Sequence, residues 1–279
     1  MNIRTVDYQS PQAPEQLSSS FRETGFAVIS NHPISKTLIE EVYADWENFF
    51  SSDQKSEYLF NPNTQAGYFP FRTENAKDSA KKDLKEFFHI YPNHPIPHGI
   101  RKSSLELRDH LLSIGTKLLG WLDQKTPEDI RRKFSQPLDQ MLEGSPKNLF
   151  RIIHYPPLDG TEEVGAVRAS AHEDIDMITL LPASTEMGLQ VKDQSGNWHE
   201  VPGGFGELVV NVGDMLQMAS AGFYRSTTHR VINPKGDAAK RSRYSMPLFC
   251  HPRPDVILSE EHTADSYLTQ RLREIGLAQ

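Results

Sequence analysis

From residue 148 onward the chain is a succession of short β-rich runs, and this constrains its fold more than any other feature. The runs are NLFRIIHY, AVRASAH, MITLLPA, GLQVKD, NWHEV, ELVVNV, DMLQMA, THRVI and RYSMPLFC. Asp159-Gly160, Ser195-Gly196, Gly203-Gly204 and Gly213-Asp214 lie between them, and all are turn chemistry. Many short strands separated by polar turns predict a barrel or a double-sheet jelly roll. Before residue 147 helical spacing dominates. Leu38, Ile39, Val42, Trp46, Phe49 and Phe50 make one apolar face over 35–50. A second helix is predicted over 103–123, with Ser103 and Glu106 at capping-box spacing. A third is predicted to open at Thr126, with Pro127 in its first turn, and to end or kink at Pro137. Short strands are expected at 26–30 and 87–91. The expected architecture is mainly β, a jelly-roll core with the early helices packed on one outer face.

Composition excludes several function classes. A net charge of −7, with no Lys/Arg run interleaved with aromatics, gives no field for nucleic acid. No window approaches the ~18 apolar residues of a membrane span, and MNIRTVDYQS has no apolar segment of the signal-peptide kind. The one cysteine, Cys250, lies in the apolar run MPLFC and reads as a packing residue. A cytoplasmic setting is expected, and nothing in the sequence demands more than a monomer.

The chemical signal lies in the strand-rich half. His172 and Asp174 stand two residues apart, so on an extended run both side chains leave one face. His229, in STTHRV, follows 55 positions after Asp174, room enough to cross several strands and return. Two imidazoles and one carboxylate on one face of a cation leave the opposite face open, the arrangement of non-haem Fe(II) oxygenases. Among 11 histidines an accidental His-x-Asp pair is unremarkable, so the pair alone does not make a metal site. Downstream, Arg243 and Ser245 share one face if their segment is a strand. A guanidinium fork beside a hydroxyl suits a carboxylate. The bland alternative is a surface arginine beside Lys240 and Arg241.

At this point the sequence resembles the isopenicillin N synthase-like branch of the 2-oxoglutarate and Fe(II)-dependent oxygenases. The likeness runs from about Ile3 to Asp255. It is carried by TGFAVISNHPISKTLIEEV at 24–42, HYPP at 154–157, AHEDIDMITLLP at 171–182, GLQV at 188–191, GNWHEV at 196–201, VVNVGDML at 209–216, STTHRV at 226–231 and RYSMPLF at 243–249. The resemblance implies a distorted double-stranded β-helix in a single domain of 1–279. Its parts would be a helix-rich 1–147, a catalytic core at 148–255 and a helical tail at 256–279.

It further implies Fe(II) on His172, Asp174 and His229, with 2-oxoglutarate and O2 as cosubstrates. Arg243 and Ser245 match the residues that hold the far carboxylate of 2-oxoglutarate, and Tyr155 a tyrosine that supports the same molecule. The implied reaction is oxidation of a small molecule, usually hydroxylation, with succinate and CO2 as coproducts. Two positions depart from the family: Pro33 follows Asn31-His32 where glycine is common, and Ile153 stands where many members carry an asparagine that holds the keto-acid end.

Tyr68, Arg72, Phe88, Phe150, His154, Phe223 and Arg225 are the candidates for lining a substrate pocket, each with packing or surface placement as the alternative. His154, His199, His251 and Glu173 read as non-ligands. Two rival functions remain at this level. One is an oxidase of the same fold that needs no 2-oxoglutarate, as isopenicillin N synthase and aminocyclopropane-carboxylate oxidase are. The other is a non-catalytic jelly-roll protein that merely holds a metal.

Overall fold

Ser35 is extended, and its hydroxyl accepts the Leu38 N–H at 3.1 Å. An orphan donor of the first turn thereby finds a partner and the chain enters a helix. In the computed structural model, which describes residues 1–74 and 81–274, this helix is Lys36–Ser51. With Ala13–Glu23 before it, these are α2 and α1. The face of α2 that buries Ile39, Val42, Trp46, Phe49 and Phe50 is the one the sequence spacing predicts.

The second predicted helix is α3, Arg101–Lys125. It begins two residues early and without the predicted capping box. Ile100 takes the cap position, and the Ser103 hydroxyl instead donates to Asp45 of α2 at 2.9 Å. Trp46 likewise donates its indole N–H to Ser104 at 2.9 Å, so the two serines tie α3 to α2. Gly115 lies within α3 where a methyl group would come within 3.0 Å of the Cys250 sulfur and 3.1 Å of Leu180. Its bare backbone lets the helix lie directly on the sheet, which offsets its poor helix propensity. The third predicted helix shrinks to one turn, α4 at Glu128–Arg131. Beyond it the helical ladder gives way to tight turns, Lys133 donating to the Ile130 carbonyl and Phe134 to the Arg131 carbonyl.

Among the described residues thirteen strands form two facing sheets. They are β1 (Arg4–Asp7), β2 (Phe26–Ser30), β3 (Gly67–Phe69), β4 (Glu86–Ile90), β5 (Leu149–Tyr155), β6 (Ala169–His172), β7 (Ile178–Pro182), β8 (Leu189–Lys192), β9 (Trp198–Glu200), β10 (Leu208–Val212), β11 (His229–Val231), β12 (Arg243–Ser245) and β13 (Leu248–Cys250). The larger sheet has the order β1-β2-β10-β7-β13-β5-β4-β3, with β12 also on β5, and the smaller is β6-β11-β8-β9. This is the distorted double-stranded β-helix expected, but four of its strands come from the first 90 residues. The run RYSMPLFC splits in two because Pro247 has no N–H to give a ladder.

Strand alternation divides the larger sheet into two faces. Phe88, Phe150, Ile152, Leu180, Val210 and Leu248 pack with α2 and α3 in the main core. Phe69, Phe87, Ile153, Tyr155, Ala169 and Val231 form a second cluster between the sheets.

The run DMLQMA, expected as a strand, is a helix, α5 at Asp214–Ala219. Its buried Met215, Leu216 and Ala219 fit helical spacing as well as an apolar strand. Its first N–H groups find acceptors outside the helix. Asp214 donates to the Asp174 carbonyl at 2.7 Å, and Met215 to the Asp176 carbonyl at 3.0 Å. The last helix, α6 (Ala264–Glu274), reaches back to α5, where the Tyr267 hydroxyl donates to the Asp214 carboxylate at 2.8 Å. Residues 275–279 of the expected helical tail lie outside the described residues. No helix among the described residues is long and apolar enough to cross a membrane.

Candidate metal centre

Antiparallel pairing of β6 with β11 puts His229 directly opposite His172. Their rings come to 4.4 Å between centroids. The strand ends at His172, so Asp174 does not share an extended face with it as the sequence suggested. It enters instead through the turn that α5 caps. The three side chains converge all the same. The Asp174 Oδ1 lies 3.8 Å from the His172 Nε2 and 3.7 Å from the His229 Nε2.

The remaining polar atoms of all three are already committed. His172 Nδ1 donates to the Ser170 carbonyl at 2.7 Å, and His229 Nδ1 to the Thr227 carbonyl at 3.1 Å. Both Nε2 lone pairs are therefore left facing the centre. Asp174 Oδ2 accepts the Thr179 hydroxyl at 2.6 Å and the Asn211 amide at 2.8 Å, leaving Oδ1 free. The three free atoms lie within 4.8 Å of one another, so one cation can touch them all. Two neutral nitrogens and one carboxylate oxygen are the donor set that suits Fe(II) and leaves further positions open.

Burial alone would raise the Asp174 carboxyl, but the two imidazoles and the bonds from Thr179 and Asn211 outweigh it and hold the group below its ordinary value. Burial and the His229 ring push His172 down against the pull of Asp174. A carboxylate and an unprotonated imidazole are the forms a cation needs. Asn211→Ala should weaken Fe(II) binding about 10- to 100-fold, because the carboxylate loses one of two groups that fix its orientation. A competitive chelator titration measures this, and unchanged affinity would mean that Thr179 suffices.

The residues expected to form a carboxylate anchor lie on β12 and β5 of the larger sheet. Arg243 is opposite Tyr155 in the β12–β5 pair, with its guanidinium 5.1 Å from that ring's centroid. It is 2% exposed, which removes the surface alternative. Its Nε donates to the Glu186 carbonyl at 2.9 Å and its Nη2 to Ser184 Oγ at 2.8 Å. Ser184 in turn donates to Ser245 Oγ at 3.1 Å. Nη1 is buried without a partner among the described residues. A buried charged donor in that state calls for an acceptor.

Most of the proposed substrate residues lie elsewhere. Phe88 and Phe150 face the helices, with the Phe88 ring 4.9 Å from Trp46. The Tyr68 hydroxyl donates to the Glu86 carboxylate. His154 joins that group, donating to Glu86 at 2.7 Å and accepting from Ser242 at 2.9 Å. Arg72 and Arg225 are exposed, and Phe223 packs under Arg22. The face of the larger sheet that meets β6 and β11 carries their neighbours in sequence: Phe87 packs there with Ala169 and Val231, His89 and Arg151 lie against its ring, and Arg151 also reaches Phe249.

Arg151 lies 4.5 Å from the Phe87 ring and 5.4 Å from the Phe249 ring. Its fork meets Glu74 at 3.2 and 3.3 Å. Burial would raise Glu74, yet Arg151 and Lys85 hold it well below the carboxylate range.

His251 has a measurable consequence. Burial pushes its imidazole down to about 4, against the Phe249 carbonyl and the Asp174 charge. Between the unfolded value of 6.5 and about 4, the unfolded chain binds a proton that the folded chain refuses. Stability therefore falls as pH falls through that window. His251→Gln should remove roughly 3 kcal/mol of this loss, read from urea unfolding at both ends of the window. Equal slopes in the two proteins would contradict the assignment.

Comparison with known proteins adds family relationships. The model of the 2OG-Fe(II) oxygenase superfamily matches residues 146–252. A model described as the N-terminal region of non-haem dioxygenases in morphine synthesis matches residues 3–110. A protein of Oryza sativa subsp. japonica named 2-oxoglutarate-dependent dioxygenase 11 is 30% identical and covers 93% of this chain and 74% of its own. A crystal structure from Shewanella oneidensis, described as an oxygenase, is 48% identical with a TM-score of 0.89 and covers 99% of each chain. A 2OG-Fe(II) oxygenase family protein from Caulobacter crescentus is 29% identical with a TM-score of 0.78, covering 98% of this chain and 99% of its own.

Proposed function

Because the chain belongs to the 2-oxoglutarate–Fe(II) oxygenase superfamily, we propose that His172, Asp174 and His229 hold its Fe(II). By the same reading, Arg243, Ser245 and Tyr155 hold the far end of 2-oxoglutarate. The enzyme is a 2-oxoglutarate/Fe(II)-dependent dioxygenase acting on a small molecule. Its reaction converts 2-oxoglutarate, O2 and a C–H bond to succinate, CO2 and a C–OH group.

One observation carries the residue assignment. On each ligand the other polar atom is engaged: both Nδ1–H groups donate to backbone carbonyls, Asp174 Oδ2 accepts a hydroxyl and an amide, and the three atoms left over converge. Bound iron would supply the redox chemistry that couples loss of CO2 to substrate oxidation. The protein orients the reactants. Ser170 and Thr227 fix the two imidazole tautomers, and Thr179 and Asn211 fix the carboxylate. Arg243 holds the cosubstrate at a set distance from the metal, while the ring of Tyr155 walls that pocket.

We read 1–279 as one catalytic unit, supported by β2 pairing with β10 across the two halves of the sequence. A cytoplasmic monomer that does not engage nucleic acid is part of the same reading. Its supports are the lone buried thiol of Cys250, a site built wholly from one chain, and the net charge of −7.

The test is anaerobic reconstitution with Fe(II), then addition of O2 and 2-oxoglutarate. Succinate should form, and should vanish when iron is omitted. Oxidation of a substrate without succinate would favour the 2-oxoglutarate-independent oxidase. A protein that binds iron but neither consumes 2-oxoglutarate nor oxidises anything would be a mere metal holder.

A further inference from the structure

Arg168 lies just before β6, four residues ahead of His172, and nothing in its surroundings exposes it to water: its side chain is 0% accessible. Its Nη2 donates to the Arg241 carbonyl at 3.0 Å. Its Nε and Nη1 have no partner among the described residues. Its guanidinium lies 6.0 Å from the centroid of the Tyr155 ring, the same ring that Arg243 approaches to 5.1 Å. Two buried guanidinium groups thus share one aromatic wall, with three unfilled N–H-bearing nitrogens between them.

The local charge is unbalanced. Arg168, Arg241 and Arg243 gather around the Glu186 carboxylate, whose two oxygens are already taken by Arg241 at 2.6 and 3.1 Å. Burial and the neighbouring Arg243 charge bring Arg168 down to about 10, against Tyr155 and Glu186. It therefore remains a cation at neutral pH. Two buried like charges with unmet donors are costly unless an anion joins them.

We infer that Arg168 is a second arm of the cosubstrate anchor, so that the far carboxylate of 2-oxoglutarate is gripped by two guanidinium groups rather than by Arg243 and Ser245 alone. This rests on the 2-oxoglutarate reading given above. A carboxylate has two oxygens with about four acceptor sites. Arg243 offers it one free nitrogen, Nη1, which leaves acceptor capacity for the Nε and Nη1 of Arg168. The consequence is selectivity: Arg168 should matter only for a ligand that has a carboxylate at the end remote from the metal.

Isothermal titration of the Fe(II)-loaded, oxygen-free protein tests this with two ligands, 2-oxoglutarate and 2-oxobutyrate. Both have the keto-acid end, and only the first has the far carboxylate. Arg168→Met should weaken 2-oxoglutarate about tenfold or more, the loss of one or two charge-assisted hydrogen bonds. Binding of 2-oxobutyrate should stay within about twofold. Arg168→Lys keeps the charge without the fork and should recover part of the loss.

Arg168→Gln provides a second neutral variant should the methionine fail to pack. If both neutral variants bind 2-oxoglutarate as the parent does, ordered water satisfies these donors and the inference is wrong. Equal weakening of both ligands would make Arg168 a structural residue and also overturn it. If the parent protein shows no preference for 2-oxoglutarate over 2-oxobutyrate, the cosubstrate reading itself fails.

Discussion

Exchange of Asp174 for alanine is expected to give a folded protein that neither retains Fe(II) nor forms succinate. Asp174 supplies the one negative charge among the three ligands, and its free oxygen lies 3.7–3.8 Å from both imidazoles. Without it two neutral nitrogens remain, a far poorer site for a dication in competition with water. A bound metal contributes several kcal/mol to reactions of this kind, so turnover should fall by roughly 10³-fold or more. The change also strands the Asn211 amide, which loses a buried acceptor at about 1–3 kcal/mol, whereas the Thr179 hydroxyl can still donate to Asp176 at 3.2 Å. A lowered melting temperature is thus part of the expected result. Metal analysis after gel filtration and a succinate assay read the two losses separately. Normal turnover in the variant would remove Asp174 from the site.

Arg243→Met should have the second largest effect, and of a different kind. The iron ligands keep all their partners, so Fe(II) should bind as before. The far carboxylate of 2-oxoglutarate loses the Arg243 contact, and Ser184 and the Glu186 carbonyl lose the guanidinium that joins them. Charge-assisted hydrogen bonds contribute about 1.5–3 kcal/mol each, which puts the rise in KM for 2-oxoglutarate on the order of 100-fold. Once 2-oxoglutarate is saturating, kcat should recover most of its original value. A variant that loses kcat with KM unchanged would show that Arg243 serves the reaction rather than the binding.

The proposed ligand triad and anchor could be read from the sequence because each is a short pattern: His-x-Asp, an isolated His before a β-rich run, and Arg-x-Ser at the start of an apolar strand. The groups that orient them were harder to see. Asn211 is a polar residue inside the run LVVNV, and its burial was a readable signal. That it bonds Asp174, 37 positions earlier, follows only from strand order. Arg168 resembled any other polar residue in a strand-like run, because a guanidinium shows its unfilled donors only when its surroundings are known.

Which face of a strand a residue takes was not legible in the sequence. Phe88 and Phe150 turn to the helices and Phe87 turns between the sheets, and a single residue's shift reverses every side chain of a strand. DMLQMA failed because six residues fit both periods. What decides it is the set of carbonyls in the 174–176 turn, which accept the first N–H groups of a helix.

Those carbonyls give α5 a part in the chemistry although no atom of it enters the site. The backbone of Asp174 is moored to the amide of Asp214, and the Asp214 side chain is moored to Tyr267 on the last helix. The Asp174 carboxylate is therefore at the end of a two-link tether that begins on the last helix. Loosening the final helix, by heat, by proteolysis or by substitution of Tyr267, would free the turn that aims the carboxylate while leaving every iron ligand in the chain.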